Sequence, residues 1–250
     1  MSEPSDASGD EPVLQRTAPA QVLPSMLRPV PYPLWSAALG VAGILVVAVC
    51  GVLITSSGAW THGELAILQQ ISDHHAPTLD AICVGIAWLF GTQIGPILLV
   101  CWCVVLTFVS RRVTLGVSFL VLVGVTWLGN QAIKAFVARP RPERDLLSHP
   151  LTIEHSFSYP SGHTCFAAAL AIGVILLFRG SRWQVLVIVI GAGCTVIIAA
   201  SRVYAGVHHP SDVVASMVYA AAAAAVIAPV WNRYAIPRLL WLDRPLQLRA

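Results

Sequence analysis

Three short stretches carry residue types and spacings suited to chemistry on an anion. The first is Lys134-Ala-Phe-Val-Ala-Arg139-Pro140-Arg141-Pro142, which leaves the end of a long apolar run. Each proline biases the residue before it toward extended geometry, so a helix is expected to end here. Lys134 then falls on the last helical turn, with Arg141 folding back over the same mouth. An ammonium point charge and a planar guanidinium fork together suit a phosphoryl group. A lysine snorkelling to a membrane interface beside a basic loop is the competing reading of this segment taken alone.

The second stretch, Tyr159-Pro160-Ser161-Gly162-His163, opens the next apolar run. Ser161 is a candidate N-cap, and Gly162 lets backbone come close to a ligand. Free N–H groups at a helix start bind anions, and His163 in that first turn can protonate a leaving oxygen. An ordinary cap beside an interfacial histidine explains the same residues in isolation. The third stretch runs from Ser201-Arg202 to His208-His209-Pro210-Ser211-Asp212. Arg202 ends an apolar span and is costly in lipid unless it pairs or faces a polar cavity. Asp212 lies four residues after His208 across a proline turn, so it can reach one ring nitrogen and leave the other free to attack. His209 is less well served by this spacing. A capped helix start at Ser211 and Asp212 explains the aspartate, but neither Arg202 nor the pair of histidines.

The elements that must position these groups are membrane helices. Of 250 residues, 56% are hydrophobic and 11% charged, with mean hydropathy +0.74. A soluble domain carries about a quarter charged residues, so lipid is part of this chain's solvent. Net charge +3 without a basic run points away from nucleic acid. The six cysteines all fall inside apolar stretches and read as small core residues rather than disulfides or a zinc site.

Apolar runs long enough for a span lie near 34–55, 79–109, 113–137, 163–178, 184–203 and 212–231. Gly91 and Pro96 point to a bend in the second, and the fourth is short unless its helix begins at Ser161. A surface helix is expected over 62–72. The layout is therefore a disordered cytoplasmic tail over 1–33, a six-helix membrane unit over 34–231 and a cytoplasmic C-terminal tail over 232–250. With the N-terminus inside, ten arginines fall on inner segments, while Lys134, Arg139, Arg141, Arg144 and Arg202 fall outside. That bias fits the positive-inside rule, and the five outer cations need a reason of their own, for which phosphate is a candidate. All eight histidines fall on the outer side.

Lys-x6-Arg-Pro, Pro-Ser-Gly-His and Ser-Arg-x5-His-x3-Asp, in that order, resemble the three signatures of the type 2 phosphatidic acid phosphatase superfamily. Lys134, Arg141, Pro142, Pro160, Ser161, Gly162, His163, Ser201, Arg202, His208 and Asp212 fill every motif position. The resemblance covers roughly residues 60 to 231. It implies an all-α polytopic membrane protein with six transmembrane helices around an acid phosphatase/vanadium haloperoxidase-like helical core. It further implies His208 as a nucleophile forming a phosphohistidine, Asp212 orienting it, and His163 as general acid. Lys134, Arg141 and Arg202, with Ser161 and the Gly162 N–H, would hold the phosphate oxygens. Three protein cations can do what Mg²⁺ does elsewhere, so no metal or other cofactor is expected.

The implied function is hydrolysis of a lipid phosphate or polyprenyl pyrophosphate at the outer face of the cell membrane. Phosphatidic acid, phosphatidylglycerol phosphate and undecaprenyl pyrophosphate all fit. The partners implied are a membrane lipid substrate and the bilayer. A phosphotransferase passing the group to another lipid, and a polyprenyl-phosphate carrier without catalysis, are the alternatives on the same fold. A Ser161-His163-Asp212 esterase lacks a GxSxG elbow. Zinc held by His163, His208, His209 and Asp212 matches no familiar spacing and faces repulsive cations. Glu143, Asp145, His149, Glu154 and His155, in the loop 143–159, are candidate specificity residues.

Overall fold

The structure, a computed structural model, describes residues 24–247. Among these there are helices and loops but no strand. Eight principal helices follow in order: α1 Pro33–Ser56, α2 Gly58–Ser72, α3 Pro77–Leu89, α4 Gly95–Ser110, α5 Val113–Val137, α6 Gly162–Leu177, α7 Gln184–Tyr204 and α8 Pro210–Tyr234. Four of them, α1, α5, α7 and α8, are long and apolar enough to cross a membrane. Their outer faces present Leu39, Leu53, Val185, Val189 and Ile197 well exposed, a surface that only lipid solvates cheaply.

Six spans are expected from the sequence, and among the described residues four helices have the length and hydropathy to span. The run 79–109 forms two helices, α3 of 13 residues and α4 of 16, rather than one bent span. Pro96 lies in the first turn of α4, where its missing N–H costs nothing. At Gly91 a side chain would meet the Ala87 carbonyl at 2.7 Å, so glycine is what lets the chain close onto the end of α3. With α6, also 16 residues and about 24 Å long, the molecule has three shorter apolar helices beside the four long ones. The predicted surface helix is present as α2, starting earlier at Gly58.

Sequence marks the other ends. Pro33, Pro77 and Pro210 occupy first helical positions. Ser57 and Ser161 cap α2 and α6 with their hydroxyls. The α5 helix closes at left-handed Ala138 (φ 52°), ahead of the Arg139-Pro140 pair that sends the chain into the loop 138–161. Both expected tails are partly structured. Residues 1–23 of the N-terminal tail lie outside the described residues. Ser25–Leu27 form a 3-10 turn that puts Met26 and Leu27 into the core, and Ser25 Oγ donates to the carbonyls closing α6. At the other end α8 continues past 231, and Asp243 is buried where it accepts from the Thr114 amide at 2.9 Å and hydroxyl at 2.7 Å.

The helices pack α1 along α8, α6 against α7 and α8, and α5 against α4, α6 and α8. Small residues permit the closest approach. At Gly40 of α1 a β-carbon would stand 2.5 Å from the Ala222 carbonyl of α8 and 2.6 Å from Val226 Cγ2, the small-residue contact on which membrane helices rely. Gly40→Val should therefore cost about 1–3 kcal/mol through overpacking, read as a fall of several degrees in the thermal midpoint of detergent-solubilised protein. Gly193→Val, at a site with nothing within 4 Å, is the control. Equal shifts in the two variants would contradict this account of the α1–α8 contact.

Candidate active site

The three motifs meet at one end of the bundle. His208 lies in the five-residue turn between α7 and α8 and is fully buried. Its Nε2 stands 3.3 Å from Arg141 Nη1, and its Nδ1 stands 3.5 Å from Asp212 Oδ2. The Nδ1 separation is long for a formed hydrogen bond, so the contact is electrostatic. A carboxylate there favours the tautomer protonated at Nδ1, which leaves the Nε2 lone pair turned toward Arg141. Burial, reinforced by the charges of Arg141 and Lys134 and opposed by Asp212, pulls the ring down to about 4, so it is neutral at pH 7.

Asp212 sits in the first turn of α8 with no exposed surface. Oδ2 accepts from the His209 amide at 2.8 Å and from the Ser158 hydroxyl, and Oδ1 accepts from Arg139 Nη1 at 2.7 Å. The expectation that spacing alone sets His208 apart from His209 fails here, because His209 Nδ1 is also 3.5 Å from Asp212 Oδ2. Both histidines flank one oxygen across the turn. What distinguishes His208 is the contact of its other nitrogen with Arg141.

Arg141 is fixed by the loop. Nε donates to the Ser156 carbonyl at 2.7 Å, Nη1 to the Val207 carbonyl at 2.6 Å and Nη2 to Glu154 Oε2 at 2.6 Å. Arg202, fully buried near the end of α7, donates through Nη2 to the Cys83 carbonyl of α3 at 2.6 Å and through Nε to Ser201 Oγ at 3.1 Å. Its Nη1 is buried with no hydrogen-bond partner among the described residues, a costly state for a guanidinium. Lys134, 6% exposed, brings its Nζ to 3.9 Å from where a β-carbon on Gly162 would lie. The first motif thus meets the N-terminus of α6.

In the second motif, Ser161 is fully buried and its Oγ accepts from the Thr164 amide at 3.5 Å and hydroxyl at 3.2 Å. It is the N-cap that the sequence predicts, and that use of its oxygen also counts against a serine esterase. His163 Nε2 is 3.1 Å from the Ala87 carbonyl, on the last turn of α3, while Nδ1 faces Glu154 Oε1 at 3.8 Å. A carbonyl beside Nε2 places the proton there. The break at Gly91 thus positions α3 so that two of its carbonyls, from Cys83 and Ala87, hold Arg202 and His163.

Of the candidate specificity residues, Glu154 joins this group. Burial raises its carboxyl pKa, but His208, Arg141, His163 and Arg202 together outweigh that and hold it below its ordinary value. A carboxylate thus stands among the cations where an anionic ligand would be drawn. His149 lies elsewhere, its amide bonded to Ser72 Oγ at 2.8 Å and its ring stacked near His75. Val84, Trp88, Gly91, Ile153, Glu154 and His163 line part of a cavity of about 600 Å³ opening beside the site. Among the described residues no group of three or more His, Cys, Asp or Glu side chains is arranged to hold a metal ion.

Two residues that the sequence reading left unassigned are central. Arg139, 1% exposed, bridges Asp212 and Glu64 of α2, with Nη2 to Glu64 Oε2 at 2.7 Å. The signals were present but weak. Arg139 is one of the five unexplained outer cations, and Glu64 is the lone acidic residue between Glu11 and Asp73.

Comparison with known proteins agrees with the motifs. The model of the PAP2 superfamily matches residues 115–235. Undecaprenyl-diphosphatase BcrC of Bacillus subtilis is 32% identical over 152 residues, covering 59% of this chain and 72% of that protein. Phosphatidylglycerophosphatase B of the same organism is 35% identical over 112 residues, 42% of this chain, and the match spans 53% of that relative's length. Among solved structures, a transmembrane PAP2-type phosphatidylglycerolphosphate phosphatase from Bacillus subtilis superposes with TM-score 0.65 at 24% identity, covering 80% of this chain and 97% of its own. Aquifex aeolicus LpxE gives TM-score 0.50 at 24% identity, covering 68% of this chain and 93% of its own. These two show the likeness of fold. Motifs, fold and sequence relatives agree, and this chain belongs to the PAP2 superfamily.

Proposed function

We propose that the chain is an integral membrane phosphatase acting on a lipid phosphate or polyprenyl pyrophosphate. The observation that carries this is a buried, neutral His208 in contact with Arg141 and within the field of Lys134, with Arg202 completing the cationic group beside Arg141 and Glu154. Phosphoryl transfer asks mainly for positioning and charge stabilisation, and this arrangement offers both. The names of the relatives, a phosphatidylglycerophosphatase and an undecaprenyl-diphosphatase, support phosphatidylglycerol phosphate and undecaprenyl diphosphate as candidate substrates.

In this reading Lys134, Arg141, Arg202 and the first-turn amides of α6 hold the non-bridging oxygens, and Ser161 shapes that turn. His208 Nε2 attacks phosphorus and the bond to the leaving oxygen breaks. His163, in its doubly protonated form, gives that oxygen its Nδ1 proton, while the Nε2–H stays on the Ala87 carbonyl. The ring of the resulting phosphohistidine keeps its Nδ1 proton and becomes cationic, which the Asp212 carboxylate stabilises. Water then attacks phosphorus while His163 takes a proton, inorganic phosphate leaves, and His208 is restored. Arg141 must exchange Glu154 for the phosphate as substrate enters. Six spans, with α3 and α4 sharing one passage, put both termini in the cytoplasm and the site at the outer face, in accord with the arginine bias.

Protein purified in detergent, with EDTA present, is expected to release phosphate from a panel spanning phosphatidic acid, phosphatidylglycerol phosphate and undecaprenyl diphosphate. Vanadate should inhibit, as a mimic of five-coordinate phosphorus. Absence of release from every lipid, or release insensitive to vanadate, would refute the reading.

A further inference from the structure

Glu64 belongs to none of the three motifs, yet it is 7% exposed and fully engaged. Oε2 accepts from Arg139 Nη2 at 2.7 Å and from Ser211 Oγ at 3.0 Å, and Oε1 accepts from the Ser211 amide at 2.6 Å. Arg139 in turn donates through Nη1 to Ser211 Oγ at 2.8 Å and to Asp212 Oδ1 at 2.7 Å. One guanidinium thus lies between two carboxylates, and one of those faces His208.

The charge balance of this buried group is what matters. Arg139 and Asp212 alone would form a neutral pair, and the field of Asp212 at His208 would be largely cancelled. With Glu64 present, the three side chains carry one net negative charge. In a low-dielectric interior such a difference is felt strongly. A phosphorylated His208 ring is cationic, so the net charge acts where it is needed. Glu64 also binds the amide of Ser211, which fixes the first turn of α8, and hence Asp212, against α2. An apolar contact would dock the helices without the cost of burying a carboxylate, so a docking role does not account for the charge.

We propose that Glu64 is a positioning residue for His208, acting through Arg139 and Asp212. By sharing the Arg139 guanidinium it leaves the Asp212 carboxylate free to orient the ring and to stabilise its cationic, phosphorylated form. The proposal rests on the phosphatase reading above.

Glu64→Gln keeps the shape and removes the charge. It should lower kcat by about 10–100-fold, by analogy with carboxylates that orient metal-ligating histidines. KM should stay within about two-fold, because Lys134, Arg141 and Arg202 are untouched. The acid limb of kcat/KM should move to lower pH, since less negative charge then faces His208. Beyond Glu64 and Arg139, the groups around that ring are His209 and Asp212 at the start of α8, Lys134 from α5, and Arg141 and Glu154 from the loop, and all are unchanged. Added to Arg139→Gln, Glu64→Gln should cause no more than about a further two-fold loss, because the two act as one unit. If Glu64→Gln does not fold, Glu64→Asp, which keeps the charge on a shorter arm, should lower kcat with the acid limb at its wild-type position. Wild-type kcat in Glu64→Gln, a KM that rises as kcat falls, or losses that multiply with Arg139→Gln would each overturn the proposal while leaving the phosphatase reading intact. A wild-type protein that releases no phosphate overturns both.

Discussion

His208→Ala is expected to abolish phosphate release, lowering kcat by at least about four orders of magnitude, as loss of a covalent nucleophile does. The expectation follows from position. Nε2 is the ring nitrogen turned toward Arg141, and no other imidazole nitrogen has that contact among the described residues. Alanine leaves the cations and Asp212 in place, so substrate still binds but nothing attacks phosphorus. A phosphorylated protein trapped by acid quench in the wild type and missing from His208→Ala would locate the bond. Activity retained within about tenfold would remove His208 as nucleophile.

The same ring sets the acid limit. Burial holds it down at about 4, so protonation of Nε2 comes late as pH falls. Corrected for the substrate's own ionisation, kcat/KM should hold on the acid side to about pH 4 and fall below it. A limb near 6.5, the ordinary histidine value, would contradict this.

Asp212→Asn is the second large effect, expected to cost about 10⁴-fold in kcat by analogy with carboxylates that fix the tautomer of a reacting histidine. The carboxylate is surrounded by donors: Arg139 Nη1 on Oδ1, and the His209 amide and Ser158 hydroxyl on Oδ2. An amide offers one oxygen, so whichever way it turns, its NH₂ meets a donor. The proton then has no carboxylate to hold it at Nδ1, and the attacking lone pair is lost from Nε2. KM should change by only a few-fold, because the phosphate is held by other residues. Steady-state kinetics on protein of unchanged helical circular dichroism would check this. A kcat within about tenfold of wild type would contradict the role of Asp212.

The long helices were legible because their limits are chemical. The sequence places α5 over 113–137, and the structure agrees. Arg111 and Arg112 stand before it, and two prolines follow the charged turn after it. The start of α6 was equally plain, from a serine cap followed by glycine. The division of 79–109 into α3 and α4 was foreshadowed by Gly91 and Pro96, but hydropathy averages across such a break and does not register it. Site residues within one motif were legible because they are neighbours in sequence. Glu64 was not, because its partners lie 75 and 147 positions away, and spacing says nothing across that distance. His208 and His209 were separated for the wrong reason, since a sharp turn brings both within equal reach of Asp212.

The α3 helix has one further implication, for how sequences of this kind diverge. The segment matched by the superfamily model, 115–235, holds every motif residue, yet His163 and Arg202 are each aimed by an α3 carbonyl, at Ala87 and Cys83, outside that segment. A carbonyl is supplied by any amino acid. Selection acting through these two contacts constrains the path of the α3 backbone and leaves its side chains free to drift. Two relatives can therefore share the aiming of both groups while α3 retains no alignable residue, whereas Glu64 makes its contact through a side chain and cannot be exchanged in silence.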